Sequence, residues 1–375
     1  MPRPSDELQA LQQDGLLREL KPLESPTGPR ITRDGRELWN FASNDYLGLA
    51  RHPQIENAFI EGVKQFGAGS AASRLVAGTL PPHQQLETAI AEAKQSEAAL
   101  TFSSGFATSL GIIPAIVGKD DFIILDKLSH ACLVDAARLS GATLRVFPHN
   151  DLNKLGKLLT GIREKSANAR ILVATESVFS MDGDLCPLRA IVELCEAKDA
   201  LLLLDEAHGF GVLGEHGMGL AEQEGLQSRI AFQMGTLSKA AGLSGGYIAT
   251  SREWADLLIN RARSFIYSTA PPPALAHAAL ASLELIRSAE GAALRKTLQQ
   301  HIATLGGSKT PIHPLVLGSN EAALAASAEL NEQGFLVPAI RYPTVPRDTA
   351  RLRVSLSAAH PAEAVDALAK QLSRL

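Results

Sequence analysis

Short apolar runs alternate with helical patterns along most of this chain, and that alternation restricts its fold more than any other sequence feature. Between residues 98 and 250 the runs are apolar on both faces, as expected of strands that helices cover on either side. Seven strands are predicted, at Ala98–Phe102, Phe122–Leu125, Leu144–Phe147, Ile171–Thr175, Leu201–Asp205, Ile230–Gly235 and Tyr247–Thr250. The sequence therefore predicts an α/β fold built on a mostly parallel sheet.

The segments on either side of this block predict an N-terminal arm and a small C-terminal domain. The arm contains an amphipathic helix over Asp6–Leu20, interrupted by Gly15, and a short strand over Glu37–Ala42. Past the prolines at 271–273, the elements predicted are a helix at Ala274–Ser288, strands at Pro314–Leu317, Leu336–Ile340 and Leu352–Ser355, and helices from Glu321 and Pro361. We therefore predict a helical arm at residues 1–45, a large α/β domain at 46–273 and an α+β domain at 274–375.

The composition argues against several classes of partner. The net charge is −4, and no dense run of lysine or arginine indicates a nucleic-acid or membrane surface. No apolar run approaches the ~18 residues of a membrane span. The three cysteines, Cys132, Cys186 and Cys195, are irregularly spaced, which predicts free thiols in a reducing compartment rather than disulfides or a metal site. We therefore expect a cytoplasmic protein without a bound metal.

Two polar residues follow the most apolar of the predicted strands. Asp205 ends that strand, and His208 lies three residues later. A carboxylate at the carboxyl end of a buried parallel strand faces the crevice in which α/β proteins bind ligands. Because burial without a cationic partner is costly, a protonated pyridine nitrogen would suit Asp205 as a partner.

Lys239 lies among small residues just past another apolar strand, in Gly235-Thr236-Leu237-Ser238-Lys239. Small neighbours let a backbone and a lysine approach a phosphorylated ring closely. A lysine that is desolvated in such a pocket has a lowered pKa, and its free amine can form a Schiff base. Lys239 is therefore a candidate nucleophile.

A phosphate cradle and a ring-stacking histidine complete the pattern. Ser104, Gly105 and Phe106 follow a strand and begin a helix, where free N–H groups bind phosphate. His130 follows the next strand and can lie flat over an aromatic cofactor. Taken together with Lys239 and Asp205, these residues predict a pyridoxal-phosphate enzyme.

A second hypothesis comes from another functional class. Gly242-Leu243-Ser244-Gly245-Gly246 matches the G-x-S-x-G motif of acyl hydrolases. That motif needs a strand before the serine and a helix after it, whereas here a loop precedes and a predicted strand follows. A serine acyl hydrolase acting through Ser244 is therefore the alternative.

The longer motifs resemble those of the α-oxoamine synthases, which are fold-type-I pyridoxal-phosphate enzymes. The matched segments are Asn44–Leu49, Gly67–Arg74 with Gly78 and His83, Ser177–Asp184, Asp205–His208 and Gly235–Lys239. They are correctly ordered and cover nearly the whole chain. The resemblance implies a fold-type-I transferase that forms a homodimer with its sites at the subunit interface.

The resemblance also implies a role for each matched residue. Lys239 would hold the cofactor and shuttle the substrate α-proton, Asp205 would pair with the pyridine nitrogen, and His208 would contact the phenolic oxygen. His130 would stack on the ring, which makes it the third implied catalytic residue beside Lys239 and Asp205. Further cofactor contacts would come from Gly105, Phe106, Ser180 and Thr236. Arg353 is the candidate for the amino-acid carboxylate. The acyl substrate would be received by Arg18 and, less directly, by Asn44, Ser73, Arg341 and Thr344.

Three passages resemble the biotin-pathway branch of the family: Ile266–Pro272, Ala339–Pro346 and Thr349–His360. This likeness implies a decarboxylative condensation of L-alanine with a pimeloyl thioester carried by coenzyme A or by an acyl-carrier protein. Sibling enzymes, which make 2-amino-3-oxobutyrate, 5-aminolevulinate or a sphingoid base, share the catalytic core and remain alternatives.

Overall fold

The computed structural model describes residues 3–375 of the chain. The strands are β1 Arg30–Arg33, β2 Arg36–Asn40, β3 Ala98–Phe102, β4 Phe122–Asp126, β5 Thr143–Phe147, β6 Ile171–Glu176, β7 Leu201–Asp205, β8 Phe232–Thr236, β9 Gly246–Thr250, β10 Ile312–Gly318, β11 Phe335–Leu336, β12 Ala339–Ile340 and β13 Ala350–Ser355.

The α-helices are α1 Pro4–Gln13, α2 Pro53–Phe66, α3 Pro81–Ala93, α4 Gly105–Ile116, α5 Ala131–Ser140, α6 Leu152–Lys165, α7 Leu188–Ala197, α8 Leu220–Gln223, α9 Arg252–Arg261, α10 Arg263–Ile266, α11 Pro273–Arg287, α12 Ala289–Leu305, α13 Asn320–Glu332 and α14 Ala362–Leu372.

The chain divides into two compact units. The larger unit comprises Leu49–Ser180 and Asp184–Lys296. The smaller unit comprises the described part of Met1–Gly48, together with Met181–Gly183 and Thr297–Leu375. The domain boundaries proposed from the sequence, after residues 45 and 273, stay a prediction.

A seven-stranded sheet forms the centre of the larger unit, with the order β3-β9-β8-β7-β6-β4-β5. All pairs from β8 to β5 are parallel, and β9 alone runs in the opposite direction, between β8 and β3. Helices pack against the sheet because its strands are apolar on both faces, and residues such as Ile123, Leu203 and Phe232 are fully buried. The predicted α/β fold with a mostly parallel sheet is confirmed.

The smaller unit contains two three-stranded sheets, ordered β1-β2-β11 and β10-β13-β12. The single strand predicted over Leu336–Ile340 is wrong, because β11 pairs with β2 and β12 pairs with β13. Pro338 lies at the break, and proline has no N–H to continue a ladder. The chain therefore changes sheets at this point.

The N-terminal helix is shorter than the sequence predicted. α1 ends at Gln13, and Gly15 adopts a left-handed conformation with φ of 64° that stops the helix. Its apolar residues Leu8 and Leu11 stay exposed, so no packing extends the helix further. The expectation that Arg18 lies in this helix is wrong, since Arg18 follows it in irregular structure.

A buried ion pair joins the turn before α3 to the sheet edge. Arg74 Nη1 and Nη2 bind Glu87 Oε1 and Oε2 at 2.8 and 2.9 Å. Glu87 Oε1 also accepts the Thr101 N–H and hydroxyl, both at 2.8 Å, and the Arg74 guanidinium lies over the Phe265 ring. Glu87 therefore fastens α3 and the turn at Arg74 to the edge strand β3.

We predict that Glu87→Ala destabilises the protein by about 3–5 kcal/mol, because it leaves a buried arginine without its anion. The measurement is the shift of the urea-unfolding midpoint. Glu196→Ala is the matched control, since it breaks an equally short but exposed pair with Arg229, and it should leave the midpoint nearly unchanged. Equal shifts for the two variants would contradict a structural role for the buried pair.

Candidate active site

The loops that carry the predicted cofactor residues meet at one edge of the seven-stranded sheet. β3, β4, β6, β7 and β8 run in one direction, so their carboxyl ends lie on the same side. The reversed strand β9 starts at this edge, where Gly246 is the register partner of both Phe102 and Thr236. The residues on these loops and strand ends are Gly105, Phe106, His130, Ser180, Asp205, His208, Thr236 and Lys239.

Asp205 ends β7 and is 4% exposed. Burial raises the pKa of its carboxyl group, while the charge of Lys239, a 2.9 Å hydrogen bond from the Ala207 N–H and the charge of His130 oppose that rise. A further cation beside Asp205 would favour its ionised form.

Glu176 is a second buried carboxyl group at this edge, and the sequence analysis missed it. It ends β6 and is the register partner of Asp205. Its Oε1 accepts the His130 N–H at 2.6 Å, and the carboxyl group also bonds to the backbone of Ser180. Burial first, and then the charge of Asp205, raise the pKa of Glu176 to about 8. The sequence could have revealed Glu176, because it is a carboxylate at the end of an apolar run, as Asp205 is.

The buried carboxyl groups at this edge of the sheet show whether the site suits pyridoxal phosphate. Two carboxyl groups, Glu176 and Asp205, are buried side by side near the amine of Lys239. A protonated pyridine nitrogen would add the positive charge that favours the ionised form of the buried Asp205. The residues present therefore fit the cofactor.

Lys239 lies on the loop between β8 and β9, and its Nζ is 2.8 Å from His208 Nε2. The loop turns back at Gly242, whose N–H donates to the Lys239 carbonyl oxygen at 2.9 Å. Gly242 has φ of 70°, and a Cβ atom there would lie 2.4 Å from the Ala50 backbone nitrogen. Only glycine fits this turn without a shift of the backbone, so the turn fixes where the lysine leaves the loop.

His130 caps the N-terminus of α5 through its ring. Its Nδ1 accepts the Cys132 N–H at 3.2 Å and lies 3.0 Å from the Cys132 Sγ. Although the residue as a whole is exposed, desolvation of the ring lowers the pKa of His130. A neutral imidazole whose Nδ1 accepts a hydrogen bond carries its proton on Nε2. His130 therefore presents a donor through Nε2.

The N-terminus of α4 and two hydroxyl groups form the predicted phosphate cradle. Ser104 caps the helix by accepting the Ala107 N–H at 3.0 Å. The Thr236 Oγ1 lies 2.7 Å from the Ser238 Oγ, and a Cβ atom on Gly105 would meet the Thr236 side chain at 3.5 Å. Unpaired N–H groups of a first helical turn beside two hydroxyls suit a phosphate.

The smaller unit brings together two of the predicted substrate residues, Asn44 and Arg353. Arg353 is 4% exposed, and its Nη1 donates to Asn44 Oδ1 at 3.2 Å and to Ser355 Oγ at 2.7 Å. Arg353 also contacts Tyr46; burial raises the pKa of this tyrosine and the arginine opposes that rise. Arg353 is thus a buried cation on β13 that donates hydrogen bonds to Asn44 and Ser355.

Arg18, Arg341 and Thr344 form a second cluster in the smaller unit. Arg18 Nη2 donates to Thr344 Oγ1 at 3.3 Å, and the Arg341 guanidinium donates to the Gly15 carbonyl oxygen. Ser73 belongs to the larger unit, where it forms an isolated antiparallel bridge with Thr269. The segments that carry Arg18 and Arg341, both predicted to receive the acyl substrate, therefore contact each other through two hydrogen bonds.

Ser244, the serine of the acyl-hydrolase hypothesis, lacks the strand–serine–helix geometry that the G-x-S-x-G motif requires. Ser244 is exposed on the loop that leads into β9, so a strand follows it where the acyl-hydrolase motif needs a helix.

Among residues 3–375 no cluster of three or more His, Cys, Asp or Glu side chains could hold a metal ion. No helix in the described part of the chain is long and apolar enough to cross a membrane.

Comparisons with known sequences find relatives over nearly the whole chain. The family model for aminotransferases of class I and II matches residues 36–372. The 8-amino-7-oxononanoate synthase of Geobacter sulfurreducens is 46% identical over 98% of this chain and 96% of its own length.

Solved structures show the same fold. A serine palmitoyltransferase from S. paucimobilis with a bound PLP–myriocin aldimine has a TM-score of 0.90 at 27% identity, covering 98% of this chain and 95% of its own. The 8-amino-7-oxononanoate synthase from Francisella tularensis has a TM-score of 0.76 at 29% identity, covering 90% of this chain and 97% of its own. The chain therefore belongs to the 8-amino-7-oxononanoate synthase family of fold-type-I, pyridoxal-phosphate-dependent transferases.

Proposed function

We propose that this chain condenses L-alanine with a pimeloyl thioester and releases carbon dioxide, forming 8-amino-7-oxononanoate for biotin synthesis. The observation that carries the proposal is the cluster of Lys239, His208 and Asp205 at the sheet edge that also presents the N-terminus of α4. The names of the relatives support the choice of substrates.

The proposed reaction balances without an oxidant or a reductant. The α-carbon of alanine loses a proton and bonds to the carbonyl carbon of the thioester. The C–S bond breaks and releases the thiol of coenzyme A or of an acyl-carrier protein. The α-proton converts the departing thiolate to the thiol. The bond to the alanine carboxylate then breaks, carbon dioxide leaves, and the α-carbon takes up a second proton, which comes from solvent.

When bound, pyridoxal phosphate supplies the electron sink that stabilises the carbanion at that α-carbon. Lys239 would attach the cofactor through Nζ and move the proton to and from the α-carbon. Asp205 would keep the pyridine nitrogen protonated, and His208 would hold the phenolic oxygen. These tasks agree with the 2.8 Å contact between Lys239 and His208 and with the burial of Asp205.

The remaining cofactor contacts follow from the donors at the sheet edge. Gly105, Phe106 and Thr236 would bind the phosphate through helix N–H groups and a hydroxyl. His130 would stack on the ring and donate a hydrogen bond through Nε2, because its Nδ1 is already an acceptor. Ser180 would contact the ring side.

The substrate residues are assigned by their charge. The buried guanidinium of Arg353 would bind the carboxylate of alanine, and its neighbour Asn44 would contact the acyl substrate. Arg18 and Arg341, with Thr344, would bind the distal carboxylate of the pimeloyl chain, and Ser73 would contact the same chain. A pimeloyl group differs from acetyl and palmitoyl groups in carrying that carboxylate, so two arginines suit it.

The assembly and location of the protein are also part of the proposal. A homodimer is supported by large apolar side chains that the larger unit exposes, including Val76 at 82% and Tyr267 at 71%. A cytoplasmic location is supported by the three cysteines, which are buried free thiols. Sedimentation of the purified protein would measure the oligomeric state.

We predict that the purified protein binds pyridoxal phosphate and that borohydride fixes the cofactor on Lys239. Lys239→Ala should retain non-covalent binding of cofactor and lose turnover by several orders of magnitude, because its covalent and proton-transfer roles vanish together. Lys64→Ala, a change at an exposed lysine, is the control. Peptide mapping that found the reduced cofactor on another lysine would refute the assignment.

The choice of substrate is tested by offering alanine, glycine and serine with acetyl, pimeloyl and palmitoyl thioesters. We expect alanine and pimeloyl thioester to give the highest kcat/KM, and carbon dioxide to be released in equal amount to the product. A preference for glycine or serine would assign the chain to a sibling activity instead.

We predict that Arg18→Ala lowers kcat/KM for the pimeloyl thioester by about 10- to 150-fold, the range of a charge-assisted hydrogen bond. Binding of alanine should stay unchanged, and an uncharged acyl chain of similar length should lose much less. Arg36→Ala removes another exposed arginine of the smaller unit and serves as the control. Equal losses with the charged and uncharged chains would show that Arg18 is not the carboxylate partner.

A further inference from the structure

The imidazole ring of His149 lies between two carboxylates in the larger unit. Its Nδ1 is 3.0 Å from Asp126 Oδ1, and its Nε2 is 2.7 Å from Asp184 Oδ2. Two acceptors on opposite sides of the ring are both satisfied only by the doubly protonated cation. Burial, the largest single influence, lowers the pKa of His149, but the hydrogen bonds and charges of Asp126 and Asp184 prevail and raise it to about 10.

On one side of this ring, Asp126 shapes the turn that leads to His130. We call residues 126–130 the His130 turn. Asp126 ends β4 and is 1% exposed, and its Oδ1 accepts the Leu128 N–H at 2.8 Å. Its Oδ2 accepts the N–H of Asn150, the neighbour of His149, at 2.9 Å. Asp126 therefore holds both the His130 turn and the segment that carries His149.

On the other side, Asp184 belongs to the loop that carries Ser180. We call residues 177–180 with 184–185 the Ser180 loop. The Asp184 carbonyl oxygen accepts the Phe179 N–H at 3.0 Å, and Val178 bridges to Leu185. The Phe179 ring meets the His149 ring edge to face at 4.3 Å between centroids. His149 thus contacts the Ser180 loop through the Asp184 carboxylate and through the Phe179 ring.

We infer that His149 is a positioning residue that holds the His130 turn and the Ser180 loop in a fixed arrangement and so sets the cofactor contacts of His130 and Ser180. The inference rests on the proposed function for the roles of these two side chains. Glu176 links the same two segments through the His130 N–H and the Ser180 backbone. His149 adds a separate link, through Asp126 of the His130 turn and Asp184 of the Ser180 loop.

The test measures the affinity of the apoprotein for pyridoxal phosphate. His149→Gln should weaken that affinity and lower kcat, each by about 10- to 100-fold, the range expected when functional groups are displaced slightly. Asp184 is partly exposed, so Asp184→Asn is the milder variant if His149→Gln folds poorly. His52→Gln breaks another histidine–carboxylate pair, with Glu290 at 3.1 Å, and should leave both quantities at wild-type values.

A double-mutant cycle separates positioning from a general loss of stability. If His149 acts through Asp184, the double variant His149→Gln, Asp184→Asn should bind cofactor no more weakly than the worse single variant. Additive losses, or wild-type affinity in both single variants, would overturn the inference. Wild-type protein that fails to attach cofactor to Lys239 would refute the proposed function instead, so the two failures are distinguishable.

The pH dependence of unfolding gives a readout that does not depend on the cofactor. The charged groups that face His149 are Asp126 from β4 and Asp184 from the Ser180 loop. The pKa of His149 rises from 6.5 to about 10 on folding, so its stabilising effect is complete below pH 6.5 and is lost as the pH rises through about 10. The urea-midpoint difference between wild type and His149→Gln should therefore shrink as the pH rises through this window. A difference that is independent of pH would mean that His149 is not the bridging cation.

Discussion

Two carboxyl groups buried side by side at one edge of a parallel sheet impose the condition on which the rest of this site depends. Glu176 and Asp205 end neighbouring strands in register, so the two carboxyl groups cannot move apart. Burial of an uncompensated charge is costly. Glu176 avoids much of that cost because its raised pKa of about 8 favours the neutral form, whereas an ionised Asp205 needs positive charge nearby. Lys239 supplies part of it. A cofactor with a protonated ring nitrogen would supply more, which would link the folded state of the larger unit to the group that it binds.

Much of the larger unit could be predicted from the sequence because its strands are buried on both faces and leave an unbroken apolar signal. β7, for example, is predicted to the residue, and Asp205 stands out as the polar end of that run. Parallel direction then places every strand end at one edge, so Lys239 and Asp205 could be grouped before any contact was known. The reversed direction of β9 could not be predicted, because strand direction leaves no trace in an apolar run.

The smaller unit was harder to predict, because its elements depend on partners distant in sequence. β11 and β12 are two residues each, and they pair with β2 and β13 respectively. Pro338 is a local sign of a break between them, but it does not show which sheet each half joins. The N-terminal helix was predicted to be too long. Its apolar spacing extended the prediction to Leu20, but no surface covers Leu8 or Leu11 in the described chain. Periodicity shows which residues could be buried, and only packing decides which residues are.

The pairing of β3 with β9 determines when the site can exist during synthesis. The predicted phosphate cradle needs Gly105, which begins the helix after β3, and Thr236, which ends β8, with Gly246 of β9 paired to both strands. A ribosome-bound chain that ends before β8 contains Gly105 without Thr236, and one that ends before β9 contains both residues but lacks the strand that pairs with β3 and β8. The predicted cradle is therefore incomplete in the nascent larger unit until β9 has left the ribosome, although its first half is synthesised much earlier.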